Sequence, residues 1–269
     1  MPRGMSLGAK KPCVIYCHGN SSSRLESLDL IAPLLLSGIM LACFDFSGSG
    51  MSEGQYISLG YYEKDDIEAV VTYLRASGKV SMIGLWGRSM GAVTTLMYAD
   101  KDHGLAGICL DSPFCDLRLL ASELVERKSP IPMPDSVVEG VIQSLRDTIQ
   151  SKVNFDILDL NPLKYNVSQS YIPAYFISAK EDELIPPHHA ERLHEKYMGD
   201  KTYKLIEGSH NSHRPEYIID SIVIFFVNCF SVAGEKDLSP AKTGSSFQDM
   251  NYNEDELLHL AIKNSLNQQ

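Results

Sequence analysis

Gly87-Arg88-Ser89-Met90-Gly91 is the segment of this 269-residue chain in which residue types and spacing speak most directly of chemistry. It follows an apolar run, Ser81 to Trp86, and leads into a helix-like stretch, Met90 to Ala99. A serine hydroxyl is a weak nucleophile until it is exposed, given a base and surrounded by N–H groups that hold an oxyanion. A G-x-S-x-G turn between strand and helix meets the first and last of these needs. The glycines let two backbones approach, the serine is lifted above the end of the sheet, and the next N–H, that of Met90, faces a forming oxyanion.

Such a turn must be carried by a sheet, and the chain has the alternation that builds one. Short apolar runs at Val14–Cys17, Ile39–Phe46, Ser81–Trp86, Leu105–Leu110, Ile172–Ala179 and Thr202–Ile206 alternate with helical periods at 25–36, 61–75, 90–99, 188–198 and 215–230. Apolar runs alternating with helices predict a mostly parallel, doubly wound α/β sheet of about six strands, covered on both faces. Sites in such folds lie beyond the carboxyl ends of the strands. Polar, glycine-rich segments follow those ends here: HGNSSS, DFSGSG, GRSMG, DSPF, KEDE and GSHNSH. Residues 114–171 interrupt the alternation with two helical periods, Leu117–Val125 and Val137–Ile149, and are expected to form a lid. The polar stretch 232–250 is expected to be a flexible linker.

Composition narrows the function classes. With 24 Lys+Arg against 34 Asp+Glu the formal charge is −10, which argues against a nucleic-acid partner. The apolar run Tyr217–Phe230 is broken by Asp220, Ser221 and Asn228, so no membrane span is expected. Basic residues at the N-terminus are followed by no apolar stretch, so no signal peptide is expected. Six scattered cysteines, four of them in apolar runs, read as reduced core residues and point to a cytoplasmic location. No His/Cys cluster has zinc spacing, the G-S-G of residues 48–50 lacks the spacing of a dinucleotide fingerprint, and neither a metal nor an organic cofactor is expected.

The order of HGN after the first run, DFSGSG after the second, GRSMG after the third, then KEDE and GSHN, resembles the α/β-hydrolase superfamily. The resemblance covers about residues 12–231 and is nearest to its serine-aminopeptidase-like and depalmitoylase-like branch. It implies an α/β-hydrolase fold, a helical lid and a serine hydrolase acting on an ester, thioester or amide of a small-molecule or acylated substrate. It also implies a Ser–acid–His order. Ser89 is then the nucleophile and His210 the base, with His213 its rival three residues on. The acid falls at Asp182, flanked by Glu181 and Glu183, with Asp111 as an alternative position. The oxyanion N–H groups come from Met90 and from the residue after HG, Asn20, with Ser21 the fallback. His18 reads as a loop brace and Arg88 as a structural salt bridge. His188 and His189 read as surface residues, and so do His103, His194 and His259. The first strand starts near residue 12, where members of the superfamily carry one or two earlier strands. That implies a trimmed sheet or an incomplete N-terminus.

The segment Asn253–Leu266, NEDELLHLAIKNSL, puts Leu258, Ala261, Ile262 and Ser265 on one face of a helix behind an acidic first turn. It resembles a ubiquitin-interacting motif, which implies ubiquitin as a partner, contacted by those four residues. Gln268 stands where that motif has a final acidic residue. The chain thus reads as a domain over 1–231, a linker over 232–250 and a terminal helix over 251–269. The reading from another class is a hydrolase-fold scaffold with little or no catalysis that serves as a ubiquitin-binding adaptor.

Overall fold

The computed structural model describes residues 9–129, 131–168 and 170–237. Six parallel strands form one sheet: β1 (Lys11–Cys17), β2 (Met40–Cys43), β3 (Val80–Arg88), β4 (Gly107–Asp111), β5 (Ala174–Ala179) and β6 (Lys201–Ile206). Their spatial order is β2-β1-β3-β4-β5-β6, so the chain starts near one edge, steps outward, crosses back and then fills the sheet to the other edge. The expected sheet was mostly parallel; every pairing observed is parallel.

Alternation along each strand divides the core in two. Cys13, Ile15, Cys17 and Leu85 face a layer with Ile67 and Val71 of α2 (Glu63–Ala76), Leu96 of α3 (Met90–Ala99) and Leu193 of α7 (His188–Lys196). Val14, Tyr16, Trp86, Cys109 and Tyr175 face the other way, onto Leu34 of α1 (Ile31–Leu36) and onto Ile222, Phe226 and Phe230 of α8 (Glu216–Asp237). Each large apolar side chain buried this way contributes about 1.5–3 kcal/mol. Helix α3 is buried along its whole length, because the sheet covers one side and the insertion after β4 covers the other.

That insertion contains α4 (Leu117–Lys128), α5 (Asp135–Val153) and the single turn α6 (Pro162–Tyr165). Asp116 caps α4 by accepting the Leu119 N–H at 3.1 Å. Leu120, Val138, Ile142 and Phe155 pack over Val93 and Met97 of α3. Phe155 stacks on Tyr61, and the Tyr62 hydroxyl donates to the carbonyls of Val153 and Asn154, so the insertion is fastened at its far end to the start of α2.

Two local readings are corrected. The helix expected over 25–36 is a 3-10 segment, Arg24–Leu30, followed by α1; Leu25 and Leu28 are exposed, so their spacing marks no buried stripe. Helix α8 runs on to Asp237, beyond Phe230 where its helical period was expected to end. Within α8, Glu216–Gly234 is long and apolar enough to cross a membrane by length and composition alone. Here it lies along the sheet, with Ile218, Ile222, Phe226 and Phe230 buried and Ile224 exposed. Leu258, Ala261, Ile262 and Ser265 lie outside the described residues.

Candidate active site

The turn after β3 is as tight as its glycines suggest. A Cβ on Gly91 would stand 1.9 Å from the Cys17 carbonyl oxygen, and one on Gly87 would stand 2.2 Å from the Gly91 carbonyl oxygen. Ser89, between them, has φ 52° and ψ −118°, a region that side chains with a Cβ rarely enter. Its N–H donates to the Asp111 carbonyl at 2.7 Å, which pins the turn to the end of β4.

The structure brings three of the expected residues together. Ser89 Oγ lies 3.1 Å from His210 Nε2, and His210 Nδ1 lies 2.7 Å from Asp182 Oδ2. Asp182 Oδ1 accepts the N–H groups of Leu184 (3.0 Å) and Ile185 (2.7 Å), so the carboxylate is held by its own turn beyond β5. Asp182 and His210 are buried. With Oγ–H donating to Nε2 and Nδ1–H donating to the carboxylate, the imidazole is oriented to take a proton from Ser89.

The alternatives fall elsewhere. His213 is exposed, 3.4 Å from Asp29. Glu181 accepts the Gly208 N–H at 2.6 Å, and Glu183 is exposed. Asp111 is buried and held by Arg214 through two guanidinium bonds, Nε to Oδ2 at 2.7 Å and Nη2 to Oδ1 at 2.8 Å. Arg214 also donates to the carbonyls of Ser209 and Ser212, so one buried cation shapes the loop that carries His210. Its partner sits 103 positions away, and the only sequence signal was an arginine four residues after the histidine. Arg88 Nη1 lies 3.5 Å from Glu26, and Nη2 donates to the His210 carbonyl at 2.8 Å.

Asn20 follows β1 beside this turn. The Gly19 N–H before it is taken by Glu26 at 2.8 Å, and Ser21 has φ 58°. Among the described residues neither the Asn20 nor the Met90 N–H has a protein acceptor, so both remain available to an anion. His18 braces this loop: Nε2 accepts the Phe46 N–H at 3.1 Å, and Nδ1 donates to the Gly19 carbonyl at 2.8 Å.

Asp45 ties the same loop to the segment after β2. It accepts the N–H groups of Arg24 (2.6 Å) and Met51 (2.9 Å) and pairs with the Arg24 guanidinium. Burial alone pushes this carboxyl up, but those bonds outweigh it and hold it well below the usual carboxylate range. A folded-state value below the unfolded one gives stability that is present above about 3.8 and is lost as the pH falls further. The midpoint of urea unfolding is therefore expected to fall more steeply below pH 4 in the parent than in Asp45→Asn. Parallel acid limbs would show that Asp45 makes no such contribution.

His188 and His189 are corrected from surface residues. His189 is fully buried and His188 half-buried, because Glu123 of α4 receives both: His188 Nε2 at 2.8 Å from one carboxylate oxygen and His189 Nε2 at 3.1 Å from the other. A contact across 65 residues leaves no trace in local spacing.

The family model described as serine aminopeptidase, S33, matches residues 8–158, more than half of the chain. The Bacillus subtilis protein YqkD, itself uncharacterized, is 32% identical over 202 residues, 73% of this chain and 64% of that protein. The match thus spans less than two thirds of that relative. Among solved structures, the Pyrococcus furiosus esterase Pf2001 superposes with a TM-score of 0.57 at 22% identity, covering 84% of this chain and 82% of that one. A monoacylglycerol lipase from Paleococcus ferrophilus superposes with a TM-score of 0.62 at 20% identity, covering 82% and 96%.

Proposed function

Because this chain belongs to the serine aminopeptidase S33 family and has the α/β-hydrolase fold, we propose that it is a serine hydrolase working through an acyl-enzyme on Ser89. The observation that carries this is the linked geometry of Ser89, His210 and Asp182, at 3.1 and 2.7 Å. Ser89 Oγ attacks the carbonyl carbon of an ester, thioester or amide while its proton passes to His210 Nε2. The oxyanion is received by the N–H groups of Met90 and Asn20. His210 then protonates the leaving group, and water, activated by the same imidazole, releases the acid. Asp182 holds the ring and stabilises its cationic form.

The insertion 114–171 acts in this reading as the lid that selects the substrate. An apolar acyl group suits it: α5 keeps Val137, Val141 and Leu145 exposed at helical spacing. The name of the monoacylglycerol lipase points the same way. Labelling with a fluorophosphonate, read by intact mass and peptide mapping, tests the reading. One adduct on Ser89, forming much more slowly in His210→Ala, is the expected result. A folded protein that takes no adduct would remove the reading and favour the scaffold.

Ubiquitin recruitment through Leu258, Ala261, Ile262 and Ser265 is the finer part of the proposal and rests on the sequence pattern alone. Shifts in ubiquitin's apolar-patch resonances with the full chain, absent with a chain ending at Asp237, would support it. Equal spectra would end it.

A further inference from the structure

Glu123, His188 and His189 sit outside the proposed catalytic machinery, yet their three side chains converge. The donor atoms all lie within 4.8 Å of one another. Glu123 offers one carboxylate oxygen to each imidazole, and the two rings stack with centroids 4.5 Å apart. Both Nε2 atoms face the carboxylate, so a cation at their meeting point would find two nitrogens and an oxygen. Ligand atoms around a tetrahedral ion stand about 3.3 Å apart when the bonds are near 2.0–2.1 Å. Each nitrogen already stands near that distance from its own carboxylate oxygen, 2.8 Å for His188 and 3.1 Å for His189. Rotation of His188, the half-exposed member, would bring both nitrogens onto one ion.

We infer that Glu123, His188 and His189 form a binding site for a divalent first-row transition ion of the zinc class. Imidazole nitrogens select this class over magnesium and calcium, which favour all-oxygen sets. The far side of His189 faces Cys115. Its Nδ1 accepts the Cys115 N–H at 3.3 Å and lies 3.2 Å from the Cys115 sulfur; metal binding at Nε2 would move the ring proton to Nδ1, where the sulfur is the acceptor within reach. The half-exposure of His188 leaves an approach from solvent, and a fourth position for water.

The ion would act as a clasp. Glu123 belongs to α4 of the insertion, whereas His188 and His189 open α7, directly after the loop that carries Asp182. Arg127, one turn along α4, already donates to the carbonyls of Glu183 and Leu184 in that loop. Metal binding would fasten the insertion to the acid's loop at a second point.

The test uses the full chain without a histidine tag, stripped with chelator and titrated with Co(II), whose visible spectrum reports nitrogen-rich coordination, and then displaced with Zn(II). One equivalent is expected, unaffected by millimolar magnesium. His188→Ala and Glu123→Gln should each weaken it at least about tenfold, while His213→Ala, at the exposed histidine, leaves it unchanged. Zinc should raise the thermal midpoint of the parent and not that of His188→Ala. Near-UV circular dichroism shows that each variant is folded, and Glu123→Gln keeps a side chain that can still bond to the imidazoles. Absence of a stoichiometric site in the parent, or binding indifferent to both variants, would overturn the inference. Fluorophosphonate labelling plays no part in the readout, so this outcome is independent of the hydrolase reading.

Discussion

Ser89→Ala is expected to lower kcat on any acyl substrate of this protein by about 10⁴–10⁶-fold while leaving KM within a few-fold. The size follows from the proposed role of the hydroxyl: in that reading it forms the bond, and without it only orientation and oxyanion stabilisation by the Met90 and Asn20 N–H groups remain. His210→Ala belongs in the same range, and the double variant should be scarcely worse than either single one, since the two groups act as a unit. Three buried thiols offer no substitute. Burial pushes the Cys115 thiol up to about 11 and those of Cys13 and Cys17 up to about 12, so all three are uncharged at neutral pH. Steady-state rates with a short and a long acyl ester check this. An alanine variant within tenfold of the parent would place the nucleophile elsewhere.

Arg214→Met is expected to lower the unfolding free energy by about 3–5 kcal/mol. The guanidinium and the Asp111 carboxylate are both almost out of water, at 6% and 2% side-chain exposure. Removing the cation strands a charge that cannot be resolvated. The loss should shrink in the double variant Arg214→Met/Asp111→Leu, where neither charge remains to be buried. Urea unfolding of the four proteins separates the pair from its parts. The loop carrying His210 gives a second readout. Because Arg214 holds the Ser209 and Ser212 carbonyls, fluorophosphonate labelling of the folded single variant should slow even where Ser89 is intact. A destabilisation under 1 kcal/mol would mean that water or Arg88 replaces the lost partner.

The residues that follow strand ends were the legible part of this chain. Ser89, Asp182 and His210 each stand at a switch from an apolar run to a polar turn, and a parallel sheet gathers all such switches at one edge. Legibility failed where meaning depends on a partner far along the chain. Asp111 looked like a candidate acid because its neighbours are a strand and a turn; only Arg214, from the opposite end of the domain, gives it another occupation. His188 and His189 looked solvated because Pro186-Pro187 and a charged helix surround them, whereas Glu123 of the insertion draws both inward. Leu25 and Leu28 failed in the opposite sense. Their helical spacing was real, but the chain there winds as a 3-10 segment after Asp45 captures the Arg24 N–H, and these two side chains stay in water while Leu30 alone turns inward.

The left-handed backbone at Ser89 carries an implication for how such a protein can change over time. A residue with a Cβ at φ 52° and ψ −118° is held against its own preference at a cost of about 1–3 kcal/mol, whereas glycine enters that region freely. The position that this structure gives the proposed nucleophile is therefore one where folding alone would select the smallest residue. Activity and stability pull in opposite directions at a single codon. A lineage released from catalysis would be expected to drift toward a firmer, silent protein there, and to keep the rest of the sheet untouched.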